Sequence, residues 1–441
     1  MLKTTRDMVM PTAITGSYPR PLWYDQNLDG RSFKAAMSDS MFREQYLDAV
    51  AAVINAQEAA GLDIVTDGDS RFDLNVGGKS WFFYPIERLG GIKGHRSTSR
   101  GWMGRHGLKP GHILWEVQEA YQPAIVADKL SRGPLEYSAI WQVAQRLTDK
   151  PVKFGAICAP GIASMLWDEH YKDDKALVLD LCDIMNVEFR ELAAAGCPVI
   201  QVEEPRHHGM TTRPDTTDKD LEFQTEAFNR QLVGVDAEVW VHTCWGNPNQ
   251  QRVYWEVPSY ERALPHLLQL NCDVLTFEAC SSNGKELALF GKYKTDKKIG
   301  IGVINHCNTV VEPPEHVADL IRRALEYIPP ERLIVPPIAA LAAKACRAAS
   351  PITNACRWWK EPISSGASWA CPRRGCAPPT RRSISPASTK PPTRSAVRLN
   401  KCALRLASPP SPWPGLTRPS MNKLKLFVDP RVKPGGGEIC D

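Results

Sequence analysis

Three residues that could hold a metal lie at the ends of two neighbouring apolar runs of this chain. His242 and Cys244 follow one run, and the carboxylate of Glu278 ends the next. A lone His-x-Cys pair belongs more often to a packed core than to a metal site. Zinc, however, accepts a mixed set of nitrogen, sulfur and oxygen ligands in tetrahedral geometry. Because His242 and Cys244 are two residues apart, they point to the same side of an extended segment. The combination predicts a metal site.

Further polar side chains follow the other apolar runs of the chain. These residues are Ser17, Asp69, Glu203, Glu204 and His306. Taken singly, Asp69 is typical of a solvated turn and Glu203 of an ion-paired loop. The adjacent pair 207–208, two histidines, is expected to be exposed. The positions matter more than any single residue, because each group lies directly after an apolar run.

The apolar runs alternate with amphipathic stretches, which predicts repeated β/α units. Eight runs are expected to be strands: residues 13–17, 64–68, 124–128, 152–157, 199–203, 239–243, 274–278 and 299–304. Eight parallel strands are the number needed to close a (β/α)8 TIM-type barrel, whose active site lies at the C-terminal ends of the strands. The alternative is a doubly wound open sheet, but no glycine-rich phosphate fingerprint follows the first strand.

Helices are predicted between these strands from apolar residues at helical spacing. The clearest cover residues 41–60, 176–195 and 314–327. Gly61 follows the first as a stop signal, and the third begins with prolines, whose missing N–H is harmless there. Residues 72–122 are rich in glycine and histidine and are expected to form an excursion over the barrel mouth.

Charge divides the 441-residue chain into two unlike parts. The net charge is +5, but residues 336–441 hold 18 Lys and Arg against 4 Asp and Glu. The same part contains 17 of the 36 prolines and 6 of the 13 cysteines. Residues 1–335 are acidic, with 36 basic and 45 acidic side chains. We therefore predict a barrel over 1–335 and a basic, disordered or irregular tail over 336–441.

Composition also excludes some classes of protein. No apolar run approaches the roughly 18 residues of a membrane span, so no membrane contact is expected. The first ten residues carry Lys3 and Arg6 without a long apolar core, unlike a secretory signal. Thirteen cysteines without such a signal are typical of a reducing cytoplasm, where they serve as thiols or metal ligands.

In their order along the chain, these motifs resemble the catalytic barrel of the cobalamin-independent methionine synthase family. The matching segments are ITGSYPR (14–20), GLDIVTDGD (61–69), IQVEEP (200–205), VHTCWGN (241–247) and LTFE (275–278). They span essentially residues 10–335. The large N-terminal domain of the full-length synthase is absent, so the methyl donor need not be the same folate.

The resemblance implies a cofactor, two substrates and roles for particular residues. It implies zinc bound by His242, Cys244 and Glu278, together with a cysteine from the loop after the last helix. It implies transfer of a methyl group from a donor of the 5-methyltetrahydrofolate type to a thiol such as homocysteine, giving methionine. Further roles are implied for substrate binding at Ser17, Asp69, Glu203 and Trp167, and for catalysis at Asp69, Glu203 and His306.

The chemistry of such a transfer needs a thiolate and an activated methyl donor. A free alkyl thiol, with a pKa of about 8.5, is mostly protonated at neutral pH, and zinc coordination removes that proton. A methylated tertiary amine is a poor electrophile until its nitrogen is protonated. Asp69, Glu203, Glu204 or His306 could supply that proton, and Asp69 or Glu203 could equally pair with a substrate ammonium. The sequence leaves these roles open.

The residues after Val335 depart from the family pattern, which places the last zinc-binding cysteine there in Asp-Cys-Gly. Here the chain reads Pro-Ile-Ala-Ala over 337–340. Its codons, regrouped by one base, can encode Asp-Cys-Gly. The same regrouping of the codons for Arg-Trp-Trp-Lys-Glu-Pro-Ile over 357–363 gives a peptide that resembles the family's terminal helix. Because tryptophan has only one codon, a Val-Glu pair in that peptide is fixed by the regrouping. We hypothesise a single change of reading frame near 335–337, which removes the fourth ligand unless Cys280, Cys307 or Cys346 replaces it.

Other readings of the chain remain open. A related zinc enzyme could alkylate another thiol, such as coenzyme M, or the frame change could leave the protein inactive. A uroporphyrinogen-decarboxylase-like enzyme shares the fold class but does not require His242, Cys244 and Glu278. A nucleic-acid-binding protein with a basic arm would explain the tail but not the polar cluster. We expect small-molecule substrates and no nucleic acid.

Overall fold

The computed structural model describes residues 2–15, 17–18, 20–73, 80–95, 123–245, 258–305 and 311–336. The chain divides into two compact units, Met1–Ala370 and Cys371–Asp441. The second unit lies wholly outside the described residues, and the predicted boundary at 335/336 stays a prediction.

A parallel barrel forms the centre of the first unit. Six strands pair in the order β3 (Lys153–Ile157), β5 (Val199–Glu203), β6 (Glu238–Thr243), β7 (Val274–Glu278), β8 (Lys298–Gly302) and β9 (Leu333–Ile334). Three isolated parallel bridges join the remaining edge: Thr12 to Val335, Ala13 to Ile64, and Val65 to Val152. The two short bridged segments at 12–13 and 64–65 complete a circle of eight, so the predicted (β/α)8 barrel is confirmed.

The predicted third strand is wrong, because it does not belong to the barrel. Residues 124–128 form part of β2 (Ala124–Ser131), which pairs antiparallel with β1 (Gly90–His95) and parallel with β4 (Leu166–Asp168) in a separate three-stranded sheet. The eighth position is taken instead by β9 and Val335, at the point where the frame change is hypothesised. The apolar start of β2 explains the error, although burial alternates there, whereas β6, β7 and β8 are buried at every position.

Helices surround the barrel, and side-chain caps begin the long ones. The helices have these bounds: Phe33–Ala36, Ser40–Ala59, Ser80–Ile86, Tyr137–Gln145, Ala159–Ala163, Asp174–Ala194, Arg206–Thr211, Asp218–Arg230, Leu264–Leu267, Leu289–Lys292 and Pro314–Leu325. Asp39 and Asp173 accept hydrogen bonds from the first turns of the two longest helices, and Thr217 and Asp220 form a reciprocal capping box. The three predicted helices are confirmed within a few residues at each end.

The barrel interior has an apolar layer beneath a polar one. Six side chains from different strands pack together: Ala13, Ile64, Val199, Trp240, Val274 and Ile334. Residues two positions further along the strands share this inward face. They include Gln201, His242 and Thr276, which are all buried. A larger apolar core lies between the barrel and its helices. The polar groups of the site therefore lie on a buried, packed apolar layer.

Candidate functional site

His242 lies near the C-terminal end of β6, and its ring is fixed from the neighbouring strand. Its Nδ1 lies 2.9 Å from Thr276 Oγ1, and the Thr276 hydroxyl donates to the Val241 carbonyl oxygen at 3.2 Å. A hydroxyl that donates to Val241 has no second hydrogen for His242, so in this arrangement it accepts from His242 Nδ1–H. In the neutral ring the lone pair is then on Nε2. This is the protonation state in which an imidazole binds a metal.

Cys244 directly follows β6, and Glu278 is the last residue of the neighbouring strand β7. The Trp245 backbone N–H, directly after Cys244, donates to Glu278 Oε2 at 3.4 Å. The Cys244 carbonyl oxygen lies 2.7 Å from His208 Nε2. Cys244 is half-buried and Glu278 is buried. The three predicted ligands therefore occupy neighbouring strand ends, as the chain order required.

As they stand, the described side chains contain no ready-made group of three or more His, Cys, Asp and Glu residues that could hold a metal ion. The donor types and the tautomer of His242 fit zinc, while the set is incomplete without a further ligand. Of the substitutes considered for that ligand, Cys280 is buried, with its Sγ 3.7 Å from His316 Nε2. Cys307 and Cys346 lie outside the described residues. The predicted metal site stays a prediction.

An aromatic group packs behind Cys244. The His208 ring lies 4.7 Å from Trp245 and 5.3 Å from Tyr260, and Tyr260 lies 5.3 Å from Phe277. His207 and His208 are both buried, so the expectation that they are exposed is wrong. Both belong to the helix Arg206–Thr211, which directly follows β5 and turns them inward.

Glu203 and Glu204 are adjacent in sequence but play different parts. Glu204 accepts hydrogen bonds from the backbone of Arg206 at 3.0 Å and of His207 at 3.2 Å, at the start of a helix. Burial raises the pKa of Glu204, but the His207 ring and its hydrogen bonds outweigh burial and lower it. Because Glu204 is committed to that helix end, Glu203 is the better candidate for proton transfer.

Glu203 ends β5 and faces His242 across the strand pair. Glu203 and His242 are partners in the β5–β6 register, and Glu203 Oε2 lies 3.8 Å from His242 Nε2. Its other oxygen, Oε1, accepts from Gln201 Nε2 at 2.6 Å. Burial raises the pKa of Glu203 to about 8, although the hydrogen bond from Gln201 lowers it. This carboxyl is therefore largely protonated at neutral pH.

Ser17 and Asp69 are joined by a hydrogen bond, and Arg71 contacts the same carboxylate. Asp69 Oδ2 accepts from Ser17 Oγ at 3.0 Å, and Asp69 Oδ1 lies 3.1 Å from Arg71 Nη1. Arg71 also lies 3.4 Å from Asp67 and donates to the Gly155 carbonyl oxygen at 2.7 Å. Burial raises the pKa of Asp69 to about 6, while Arg71 pulls it down. Arg71 was missed, although two aspartates at two- and four-residue spacing before an arginine were a signal for it.

The turn that carries Asp69 has an unusual backbone. Gly68 has φ +65° and Asp69 has φ +54°, both in the left-handed region. A Cβ added at Gly68 would lie 2.7 Å from both the Tyr18 Cβ and the Val53 Cγ1 atoms. Only glycine fits there, so the tight turn after residues 64–65 is what brings the Asp69 carboxylate back to Ser17.

The structure does not place every predicted site residue in this cluster. Trp167 lies on β4, on a different sheet from Glu203 and His242, and is 39% exposed. His306 lies outside the described residues.

Among the helices that the structure describes, none is long and apolar enough to cross a membrane.

The sequence matches a known protein family. The profile of the family described as cobalamin-independent synthase, catalytic domain, matches residues 10–356. The chain belongs to this family. The resemblance predicted from the motifs is confirmed, and the chain is a methyltransferase of the cobalamin-independent methionine synthase type.

Relatives of similar length support the assignment. The methionine synthase of Sulfurisphaera tokodaii is 32% identical over 331 residues, which cover 75% of this chain and 85% of the relative. That of Saccharolobus solfataricus is 32% identical over 331 residues, covering 75% and 87%. A B12-independent methionine synthase from Shewanella sp. W3-18-1, solved with selenomethionine, aligns with TM-score 0.64 and 22% identity over 81% of this chain and 99% of that one. At this identity the last comparison shows the shared fold.

Proposed function

We propose that this barrel transfers a methyl group from a donor of the 5-methyltetrahydrofolate type to the thiol of homocysteine, giving methionine, with zinc as cofactor. The observation that carries the proposal is the His242 ring, whose Nδ1 lies 2.9 Å from Thr276 Oγ1 so that Nε2 is left as a ligand atom. Cys244 and Glu278 lie on the adjoining strand ends. Zinc held by these three residues would make the substrate thiol a thiolate at neutral pH.

Homocysteine carries an ammonium group, and the chain offers it a carboxylate. Asp69, with a pKa of about 6, is mostly ionised at neutral pH, and Ser17 and Arg71 hold its two oxygens in place. Coenzyme M, the alternative thiol, lacks an ammonium group. Asp69 therefore favours the amino acid as the methyl acceptor.

Glu203 is the proposed acid. It is protonated over most of the neutral range, because burial raises its pKa to about 8. A protonated carboxyl beside the reacting groups can donate to the nitrogen of the methyl donor as that nitrogen leaves. We propose His306 as a second proton-transfer residue and Trp167 as the surface on which the pterin ring of the donor stacks.

The sequence change at the end of the barrel limits the zinc binding and the activity expected of this chain. Residues 1–335 form the proposed catalytic domain, and 336–441 the proposed out-of-frame tail. The eighth barrel position ends at Val335, which bridges Thr12. A frame change just after it leaves the barrel circle complete but removes the fourth zinc ligand. We therefore expect weak zinc binding and low or absent activity in this chain. An intact reading frame with independent codon support for the tail would contradict the frame change.

The proposed function is tested by zinc content and by transfer of labelled methyl from methyltetrahydrofolate to homocysteine. Both are measured on this chain and on one with the reading frame restored. The restored chain should bind one zinc and produce labelled methionine. Cys244→Ala should lose both, and Cys182→Ala, a matched control in the helix Asp174–Ala194, should keep both. Tight zinc binding that survives Cys244→Ala, or transfer to coenzyme M in preference to homocysteine, would contradict the proposal.

A further inference from the structure

An indole ring lies against the barrel wall at a point where the wall itself has no side chain. Gly155 is the middle residue of β3 and pairs with Gln201 on β5. Register partners on parallel strands point to the same side of the sheet, so position 155 faces the barrel interior as Gln201 does. A Cβ placed on Gly155 would come 2.9 Å from Cη2 and 3.2 Å from Cζ3 of Trp81. The glycine therefore leaves space that the Trp81 ring occupies.

Trp81 does not belong to a barrel strand. It lies in the helix Ser80–Ile86, and its ring packs edge-to-face on Phe72 with 5.3 Å between the ring centres. Phe72 is 9% exposed, whereas Trp81 is half-buried, so part of the indole stays accessible after this packing. An aromatic ring in this situation still has apolar surface to offer to a ligand.

The space above Gly155 also adjoins the Asp69 carboxylate. The same added Cβ would lie 3.6 Å from Asp69 Oδ1. Arg71 fixes this arrangement, because it donates to the Gly155 carbonyl oxygen at 2.7 Å and lies 3.1 Å from Asp69 Oδ1. A carboxylate and an accessible apolar ring therefore lie side by side. An amino acid with an apolar side chain needs this combination, a charge for its ammonium group and a wall for its methylenes.

We propose that Trp81 is a specificity-determining residue, whose indole packs against the unbranched apolar side chain of an amino acid held through its ammonium group by Asp69. The inference rests on the role proposed above for Asp69. Gly155 belongs to the same arrangement, because any side chain at that position displaces the ring. Each methylene that the indole covers should increase the affinity about fourfold, so long unbranched amino acids bind better than short ones.

The test is the binding of L-norleucine to the full metal-free chain at about pH 8, followed by NMR titration. At that pH Asp69, with a pKa of about 6, is ionised. L-norleucine has the unbranched chain but no sulfur, so its binding does not need zinc, and L-alanine is the short comparison. Trp81→Ala should weaken L-norleucine about tenfold and L-alanine less than about twofold, because only the long side chain loses its apolar cover.

Two glycine variants separate displacement of the ring from a general effect of an added methyl group. Gly155→Ala should weaken L-norleucine as well, and the double variant with Trp81→Ala should bind no more weakly than Trp81→Ala alone. Gly209→Ala is the matched control, because a Cβ there meets nothing within 4 Å. Gly209 lies in the helix Arg206–Thr211, and its variant should keep the affinity of the unchanged chain.

Unchanged L-norleucine binding in Trp81→Ala would overturn the inference. So would an equal loss for both amino acids, because a residue that only supports the Asp69 turn weakens both alike. If Gly155→Ala does not fold, as judged by circular dichroism, Trp81→Ala decides the question by itself. Binding that Asp69→Asn abolishes but Trp81→Ala leaves intact removes only this inference, whereas no binding to the unchanged chain also removes the proposed amino-acid acceptor.

Discussion

Replacing Arg71 by methionine should be among the most destabilising single changes in the barrel. The side chains of Arg71, Asp67 and Asp69 are 1%, 2% and 5% exposed. The guanidinium also lies 4.4 Å from the Phe72 ring and 4.6 Å from the Phe154 ring. Methionine keeps much of the volume but removes the positive charge. Two desolvated carboxylates then share the turn with no cation between them.

The magnitude follows from burial rather than from the number of contacts. Removing one partner of a buried ion pair costs about 3–5 kcal/mol, because the remaining charge stays desolvated. The Gly155 carbonyl oxygen also loses its donor, although the expected total stays in that range. The cost should shrink at acid pH. Asp69, whose pKa is already raised to about 6, takes up a proton there and no longer needs the cation.

Equilibrium urea unfolding, followed by tryptophan fluorescence at about pH 8 and pH 5, measures this cost. Arg230→Met is the control, because Arg230 pairs with Asp183 at 2.7 Å with side chains that are 47% and 56% exposed. An exposed pair contributes about 0–1 kcal/mol. A cost for Arg71→Met no larger than that of Arg230→Met, or equal at both pH values, would refute the reasoning.

Three further predictions concern the site. Thr276→Val removes the acceptor for His242 Nδ1–H and should weaken zinc binding about 10–100-fold, measured by competition with a chelator. Glu203→Gln should raise the melting temperature at about pH 9 but not near pH 4. The buried carboxylate lowers the stability of the folded state only as the pH rises from the unfolded pKa of Glu203, about 4.5, towards its folded pKa of about 8. Equal melting shifts at both pH values would contradict this. Trp167→Ala should weaken methyltetrahydrofolate binding about tenfold in titration calorimetry without changing stability.

Much of the barrel could be predicted from sequence because buried parallel strands appear as short apolar runs. Runs such as 199–203 and 274–278 match the observed strands residue for residue. The run at 124–128 failed, because periodicity shows that a segment is half-buried but not which sheet it joins. The strand at 333–334 was missed since two paired residues leave almost no pattern.

Proximity within the site could be predicted for residues that follow successive barrel strands, because the fold places the ends of those strands side by side. Ser17 and Asp69 follow successive barrel segments, and the structure joins them by a 3.0 Å hydrogen bond. Glu203 and His242 likewise become register partners. Nothing in the sequence distinguished Glu203 from Glu204, because their difference arises from which of them the next helix start uses.

The residues that were missed act through contacts across strands. Thr276 reaches His242 from β7, and Lys153 reaches Gln201 from β3. A threonine or a lysine inside an apolar run reads only as an interruption of the pattern. Its partner becomes visible only when the strand register is known, which local sequence does not specify.

The most direct test of the central claim is zinc X-ray absorption of the zinc-loaded chain with and without homocysteine. The proposed site contains one protein sulfur, from Cys244, beside His242 and Glu278. Adding homocysteine should increase the number of sulfur neighbours at about 2.3 Å by one, and Cys244→Ala should not retain zinc in this site. An unchanged sulfur count on adding homocysteine, or the same spectrum in Cys244→Ala, would contradict the proposal that this barrel activates the thiol on zinc.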